Sequence, residues 1–224
     1  MRFRQALLVS IVICALAGCS SATPTVARPV PITPSAELAA AIVQARSALE
    51  KGDSAGAIAL LEQPLGDGQG TSEAHYLLGN AYADQENLSS AQQQYERALA
   101  LDAGNIDARA NLGVVLYRAQ QLTEAEAVFR EALTYAPDDA EIHYNLGGVL
   151  ASQGKLDDAV AEFRRANELD ANLAEPYLGL GSVYQLQGKV DLAINALQKY
   201  LELSDDPTWR AEAQRMLDTL ADAP

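Results

Sequence analysis

Cysteine is almost missing from this chain. Two occur in 224 residues, Cys14 and Cys19, both within the first 19. None is left in the remainder for a disulfide framework, a CxxC redox pair or a zinc knuckle. Aromatic residues are also scarce at 6%, with one tryptophan. Alanine and leucine are plentiful instead, and because they lead the helix scale while β-branched residues are sparse, the composition favours helices over strands. Basic residues are outnumbered: 16 Lys and Arg stand against 30 Asp and Glu, a formal charge of −14. Such a body is a poor nucleic-acid binder, since phosphate contact relies on neutralising basic groups. It gains nothing from anionic lipid headgroups either, so membrane association requires an anchor. With 49% apolar residues, a folded core is nonetheless expected, in one domain or one repeat array.

The apolar run "ALLVSIVICALA" (6–17) follows Arg2 and Arg4 and carries no charge. A basic start and a short apolar stretch are the proportions of a secretory signal peptide, below the roughly 20 residues a spanning helix needs. In place of an A-x-A site comes "LAGC" (16–19), which resembles the lipobox of bacterial lipoproteins. That resemblance implies thioether lipidation of Cys19, cleavage before it (removing 1–18) and acylation of the new amino terminus. An uncleaved N-terminal anchor is the alternative. More than one acyl chain holds a protein stably on a membrane, where a single chain is marginal. Ser20, standing where aspartate would retain a Gram-negative lipoprotein, implies export to the outer membrane. Residues 19–34 carry Pro24, Pro29, Pro31 and Pro34. This density prevents helix and strand and predicts an extended tether, able at about 3.1 Å per residue to reach some 40–50 Å.

The remainder repeats every 34 residues, in blocks 72–105, 106–139, 140–173 and 174–207. Each reads as two helices. Positions 7, 8 and 11 of the block are Leu78-Gly79-Tyr82, Leu112-Gly113-Leu116, Leu146-Gly147-Leu150 and Leu180-Gly181-Tyr184. Spacings of three and four put them on one helical face. Positions 20, 24 and 27 are Ala91-Tyr95-Ala98, Ala125-Phe129-Ala132, Ala159-Phe163-Ala166 and Ala193-Leu197-Tyr200. Small residues at 8 and 20 let two helices cross closely, and the bulky residue at 24 fills the gap beside them. Gly154 and Gly188 suit the turn between the helices.

This pattern resembles the tetratricopeptide repeat family, which implies an all-α, right-handed α-solenoid. The proline often found at position 32 survives only as Pro137. Upstream, 35–71 reads as a degenerate repeat: Ala57 and Leu61 fit, Gln44 and Ala48 stand where Leu and Tyr belong, and Pro64 is expected to end its second helix early. Terminal repeats deviate because one side faces water. At the other end 208–224 is expected to be a capping helix, with Trp209, Ala213, Met216, Leu217 and Leu220 on its buried stripe and Trp209 a packing residue.

Signs of chemistry are few. "GDGQG" (66–70) lacks the Gly-Lys-Ser/Thr ending of a phosphate loop and any preceding strand, and reads as an inter-repeat loop. His75 and His143 both occupy position 4, two repeats apart, too distant to share a metal. No cofactor is expected, and with no nucleophile placed by a motif, neither is catalysis.

In the family, positions 2, 5, 6, 9, 12 and 13 face the concave groove. Here they supply Tyr76 and Asn80; Ala110, Asn111, Tyr117 and Arg118; Tyr144 and Asn145; and Leu178, Ser182 and Gln185. Asn111 and Asn145 suit an extended peptide backbone, since an amide is both donor and acceptor. They equally fit the generic repeat consensus. Glu73, Asp107, Glu141 and Glu175 form an acidic column at position 2, with Arg118 nearly alone against it. This opposes a basic clamp on a peptide carboxylate and favours a basic or neutral partner segment. The expectation is a non-enzymatic scaffold, lipid-anchored at the periplasmic face of the outer membrane, taking a protein or extended peptide in its groove. The alternative is a pilotin-like assembly factor for type IV pilus or secretin complexes, although those typically carry more repeats.

Overall fold

The computed structural model describes residues 34–65 and 70–221. The expected leader, Cys19 and the proline-rich segment up to residue 33 lie outside them. The described residues form eleven helices and no strand: α1 (Ala36–Glu50), α2 (Ser54–Leu65), α3 (Ser72–Asp84), α4 (Leu88–Leu101), α5 (Ile106–Arg118), α6 (Leu122–Tyr135), α7 (Ala140–Ser152), α8 (Leu156–Leu169), α9 (Glu175–Leu186), α10 (Val190–Leu203) and α11 (Pro207–Ala221). Consecutive helices pack as antiparallel neighbours, and each first helix from α1 to α7 also touches the first helix of the following pair. The result is an all-α solenoid with first helices on one side and second helices on the other.

The pairing follows from side-chain size. A Cβ added to Gly79 would stand 2.6 Å from the Tyr95 ring, and one added to Gly113 equally close to Phe129. Gly147 meets Phe163 at 2.7 Å and Gly181 meets Leu197 at 2.6 Å in the same way. Position 8 therefore lacks a side chain because position 24 of the facing helix fills its place. The partners at 24 are buried, as are the alanines at 20: Ala91, Ala125, Ala159 and Ala193.

The turns keep the same period. Gly52, Glu86, Gln120, Gly154 and Gly188, each 34 residues apart, all have positive φ, between 59° and 76°. In each turn the next residue's N–H bonds a carbonyl five residues back, as in Gln121 to Leu116 (2.9 Å) and Lys155 to Leu150 (2.9 Å). This closes each first helix with a left-handed residue. Glycine suits the geometry, and Glu86 and Gln120 adopt it without glycine's freedom. Four of the first helices, α1, α3, α5 and α7, start on side-chain caps: Ser35, Thr71, Asn105 and Asp139 each accept an N–H three residues on, while α9 follows Ala174 without one.

Position 4 ties repeats together. His143 Nε2 lies 3.0 Å from the Pro137 carbonyl, and Arg109 Nη2 donates to the equivalent Ala103 carbonyl at 2.7 Å. His143 Nδ1 also meets Glu162 at 2.6 Å, while His75 Nδ1 meets Gln94 at 2.8 Å. The histidines thus serve separate repeats.

In the first pair, α2 runs one residue past Pro64 and has 12 residues where later second helices have 14. Gln44 is exposed, and Leu38, Ala41, Ile42 and Ala45 carry the burial of α1 instead. At the C-terminal end α11 buries Ala213 and Leu220 against α10. Trp209 departs from the expected packing role and is 54% exposed. It lies in the first turn of α11 and borders a recess that Tyr200 of α10 also lines.

Candidate functional site

The first helices line a groove with several recesses: one of about 590 Å³ beside α1, lined by Arg46, Glu50, Glu73, Tyr76, Asn80, Asn105 and Asp107, and two of contrasting chemistry further along. In the more N-terminal of these two, of about 320 Å³, the lining includes Asn80, Asp84, Asn111, Val114 and Arg118 above Tyr95. Its polar groups are largely committed to each other. The Asn80 Oδ1 accepts from the Tyr95 hydroxyl (2.7 Å) and from Asn111 Nδ2 (3.0 Å). Arg118 pairs with Glu86 and Arg46 with Glu73, so both guanidinium groups here face a carboxylate of this chain. Tyr76 tilts against Tyr95, ring centroids 6.3 Å apart. The Tyr82 hydroxyl donates to Glu62, and that bond, with burial, pushes its pKa up to about 12.

The C-terminal recess, about 560 Å³, is more apolar. Tyr117, Tyr144, Leu178 and Ser182 line it, with Phe163 at the base and Leu186 and Trp209 at the mouth. Leu186 is 71% exposed. Tyr144 tilts against Phe163 at 6.0 Å, and burial raises its pKa above the ordinary phenol value. Tyr117 Oη lies 3.2 Å from Ser152 Oγ, and the Ser182 hydroxyl donates to the Leu178 carbonyl at 3.0 Å. Glu175 and Asp206 are the charged residues of the lining.

Asn145 sits between the two, in a recess of about 260 Å³ shared with Tyr76, Asp107, Asn111 and Glu141. Nine of the groove residues expected from sequence, all but Ala110 and Gln185, therefore fall into two sets of four with Asn145 between them. Tyr76, Asn80, Asn111 and Arg118 meet at one end; Tyr117, Tyr144, Leu178 and Ser182 meet at the other. Sequence reasoning missed Leu186, Trp209 and the two glycines, Gly148 and Gly179, on the same lining. A signal existed. Carrying the 34-residue frame past 207 puts Trp209 at position 2, a groove position, and Leu186 stands at position 13.

No metal-sized cluster of His, Cys, Asp or Glu occurs among the described residues, and no described helix is long and apolar enough to cross a membrane. The groove offers apolar area, neutral hydroxyls and exposed acid, which is the equipment of a recognition surface.

The fold and the groove together define a helical-repeat protein with an open inner face. Tetratricopeptide repeat profiles match residues 42–106, 76–139 and 110–174, and a second matches 174–207. The matches span well over half of the sequence, and the chain belongs to the tetratricopeptide repeat family. No curated protein matches it. Among solved structures it is similar to MamA (residues 41 to the end) from Desulfovibrio magneticus RS-1, with 22% identity, a TM-score of 0.70 and coverage of 78% of this chain and 99% of that one. YrrB, described as a TPR protein with an unusual peptide-binding site, is 26% identical with a TM-score of 0.64, over 78% of this chain and 90% of that chain. A thermophilic TPR protein of Thermus thermophilus is 23% identical with a TM-score of 0.64, over 80% of this chain and 98% of that chain.

Proposed function

We propose that this protein is a non-enzymatic scaffold that binds a segment of a partner protein in the groove lined by its first helices. The carrying observation is the open C-terminal recess, whose apolar mouth residues Leu186 and Trp209 are left exposed. Large apolar side chains grouped at a recess mark an interaction site more often than a solvated surface. The peptide-binding description attached to YrrB supports the same reading by likeness. A photo-crosslinking residue at position 145, used in living cells, should capture a discrete partner, and co-purification of that partner should be lost in the triple variant Asn111→Ala, Tyr144→Ala, Asn145→Ala, which keeps its helical content. Capture unchanged by the triple variant moves the site elsewhere.

The reading includes a location. A leader ending in "LAGC" and a proline-rich segment before the repeats support lipidation of Cys19 and tethering at the periplasmic face of the outer membrane. Cys19→Ala should accumulate as an unprocessed or mislocalised precursor; normal processing and fractionation would remove the anchor from the account. The narrower pilotin-like role rests on the same pairing of leader and repeats. It requires secretin multimers to fall when the protein is lost, and unchanged multimers exclude it.

A further inference from the structure

Two neighbouring glycines in α7 differ in a way that packing does not explain. A Cβ on Gly147 would stand 2.7 Å from the Phe163 ring, so a side chain is excluded there. A Cβ on Gly148 would meet nothing within 4 Å. Glycine inside a helix weakens it, and Gly148 has no close neighbour that requires the loss. What it does have is a place on the wall of the C-terminal recess. One repeat later Gly179 stands at position 6, where the two preceding repeats carry Asn111 and Asn145, and its missing side chain leaves the Phe163 ring as the floor. At Gly179 the Phe163 ring fills the side chain's place, 2.6 Å from an added Cβ, whereas the absent side chain at Gly148 leaves open space on the wall of a cavity of about 560 Å³.

The rim adds a sign of charge. Glu175 and Asp206 line the recess and no Lys or Arg does. Asp206 uses Oδ1 to cap α11, accepting from the backbone N–H of Thr208 (2.9 Å) and Trp209 (3.0 Å), which leaves its other oxygen outside the cap. An apolar hole under an anionic rim, on a chain of formal charge −14, favours a cationic neighbour beside an apolar plug.

We infer that the C-terminal recess receives a bulky apolar side chain from an extended partner segment that carries lysine or arginine next to it. This rests on the scaffold reading above and names the partner chemistry. The apolar side chain takes the open space beside Gly148 and rests on the Phe163 ring, Trp209 and Leu186 close over it, and the flanking cations face Glu175 and Asp206. The charges act mainly on encounter and on rejecting acidic segments, and their effect weakens with salt.

The test uses the full chain in detergent with a fluorescein-labelled peptide, Gly-Lys-Phe-Lys-Leu-Lys-Gly, read by anisotropy. The peptide should bind saturably. Replacing its lysines by glutamates should weaken binding at least tenfold. Gly148→Leu fills the recess from a helical position and should weaken the lysine peptide at least tenfold without lowering the melting temperature. Trp209→Ala, an exposed site, gives a second variant with the same expected loss, and Glu124→Ala on the exposed side of α6 should leave binding within twofold. No saturable binding, equal binding of the glutamate peptide, or full binding by both recess variants overturns the inference. So does concentration-dependent dimerisation of the free chain that Gly148→Leu abolishes, which would make a second copy the occupant. If the peptide fails while a partner is still cross-linked from position 145, only this inference falls. If both fail, the scaffold reading falls with it.

Discussion

The two ends of the groove are made from the same repeat positions and reach opposite outcomes. At the N-terminal end position 9 is Asn80 and position 24 is Tyr95, and the two bond to each other and to Asn111. At the C-terminal end the corresponding places are Gly148 and Phe163, which have no polar group to exchange. The first end joins its amides and tyrosine to one another and its guanidinium groups to its own carboxylates, around recesses that stay open. The second leaves apolar area and exposed acid unmatched. A repeat fixes where side chains point, and the residue chosen at each position decides whether that direction serves stability or recognition.

Substitutions can break this contrast, beginning with the floor. Phe163→Ala removes a ring that packs against Gly147, Gly179 and Tyr144, and large-to-small loss at such a buried aromatic costs about 3–5 kcal/mol. Denaturant melts should place this variant lowest. Gly147→Ala forces a methyl to within 2.7 Å of the same ring, and overpacking of that kind costs about 1–3 kcal/mol. Its neighbour has the opposite sign: Gly148→Ala should gain about 0.5–1 kcal/mol, as a helical glycine with open space around it does when replaced by alanine. Paired thermal melts of the two alanine variants, differing by one position, are the sharpest stability check on the cavity.

Smaller effects belong to the other end. Tyr95→Phe leaves Asn80 one donor short and should cost about 0.5–1.5 kcal/mol, the usual net worth of one such hydrogen bond. The smallest is a pH effect. Burial, opposed by the bond to Gln94 and aided by nearby Arg97, holds His75 below its ordinary value of 6.5. The folded state therefore favours the neutral ring, so this contribution is complete above pH 6.5 and is lost as pH falls through the lowered folded value. Amide protection factors in α3 and α4, exchange rates corrected for the intrinsic pH dependence, should fall on going from about pH 7 to about pH 5 more in the native sequence than in His75→Gln.

The helix pairs and their close crossings were legible because Gly at 8 and a ring or leucine at 24 recur in register, and a period is a property of sequence alone. The turns were half legible. Gly154 and Gly188 announce a left-handed residue, but Glu86 and Gln120 adopt the same φ because repeat packing and the following N–H bond impose it on residues with no preference for it. The groove was legible as a list of positions and illegible as separate recesses. The bond between Asn80 and Asn111 joins residues 31 apart, and neither sequence context signals it. Trp209 shares a helical stripe with Ala213 and Leu220, and periodicity cannot tell that it is left exposed while they are buried.

The central claim is that partner recognition lies at the C-terminal end of the groove. In-cell photo-crosslinking from two positions tests it most directly, one probe replacing Ser182 and the other replacing Asn80. The account predicts a discrete cross-linked partner from position 182 that Gly148→Leu removes, with little or none from position 80. Equal capture from both, or capture from position 80 alone, would contradict it.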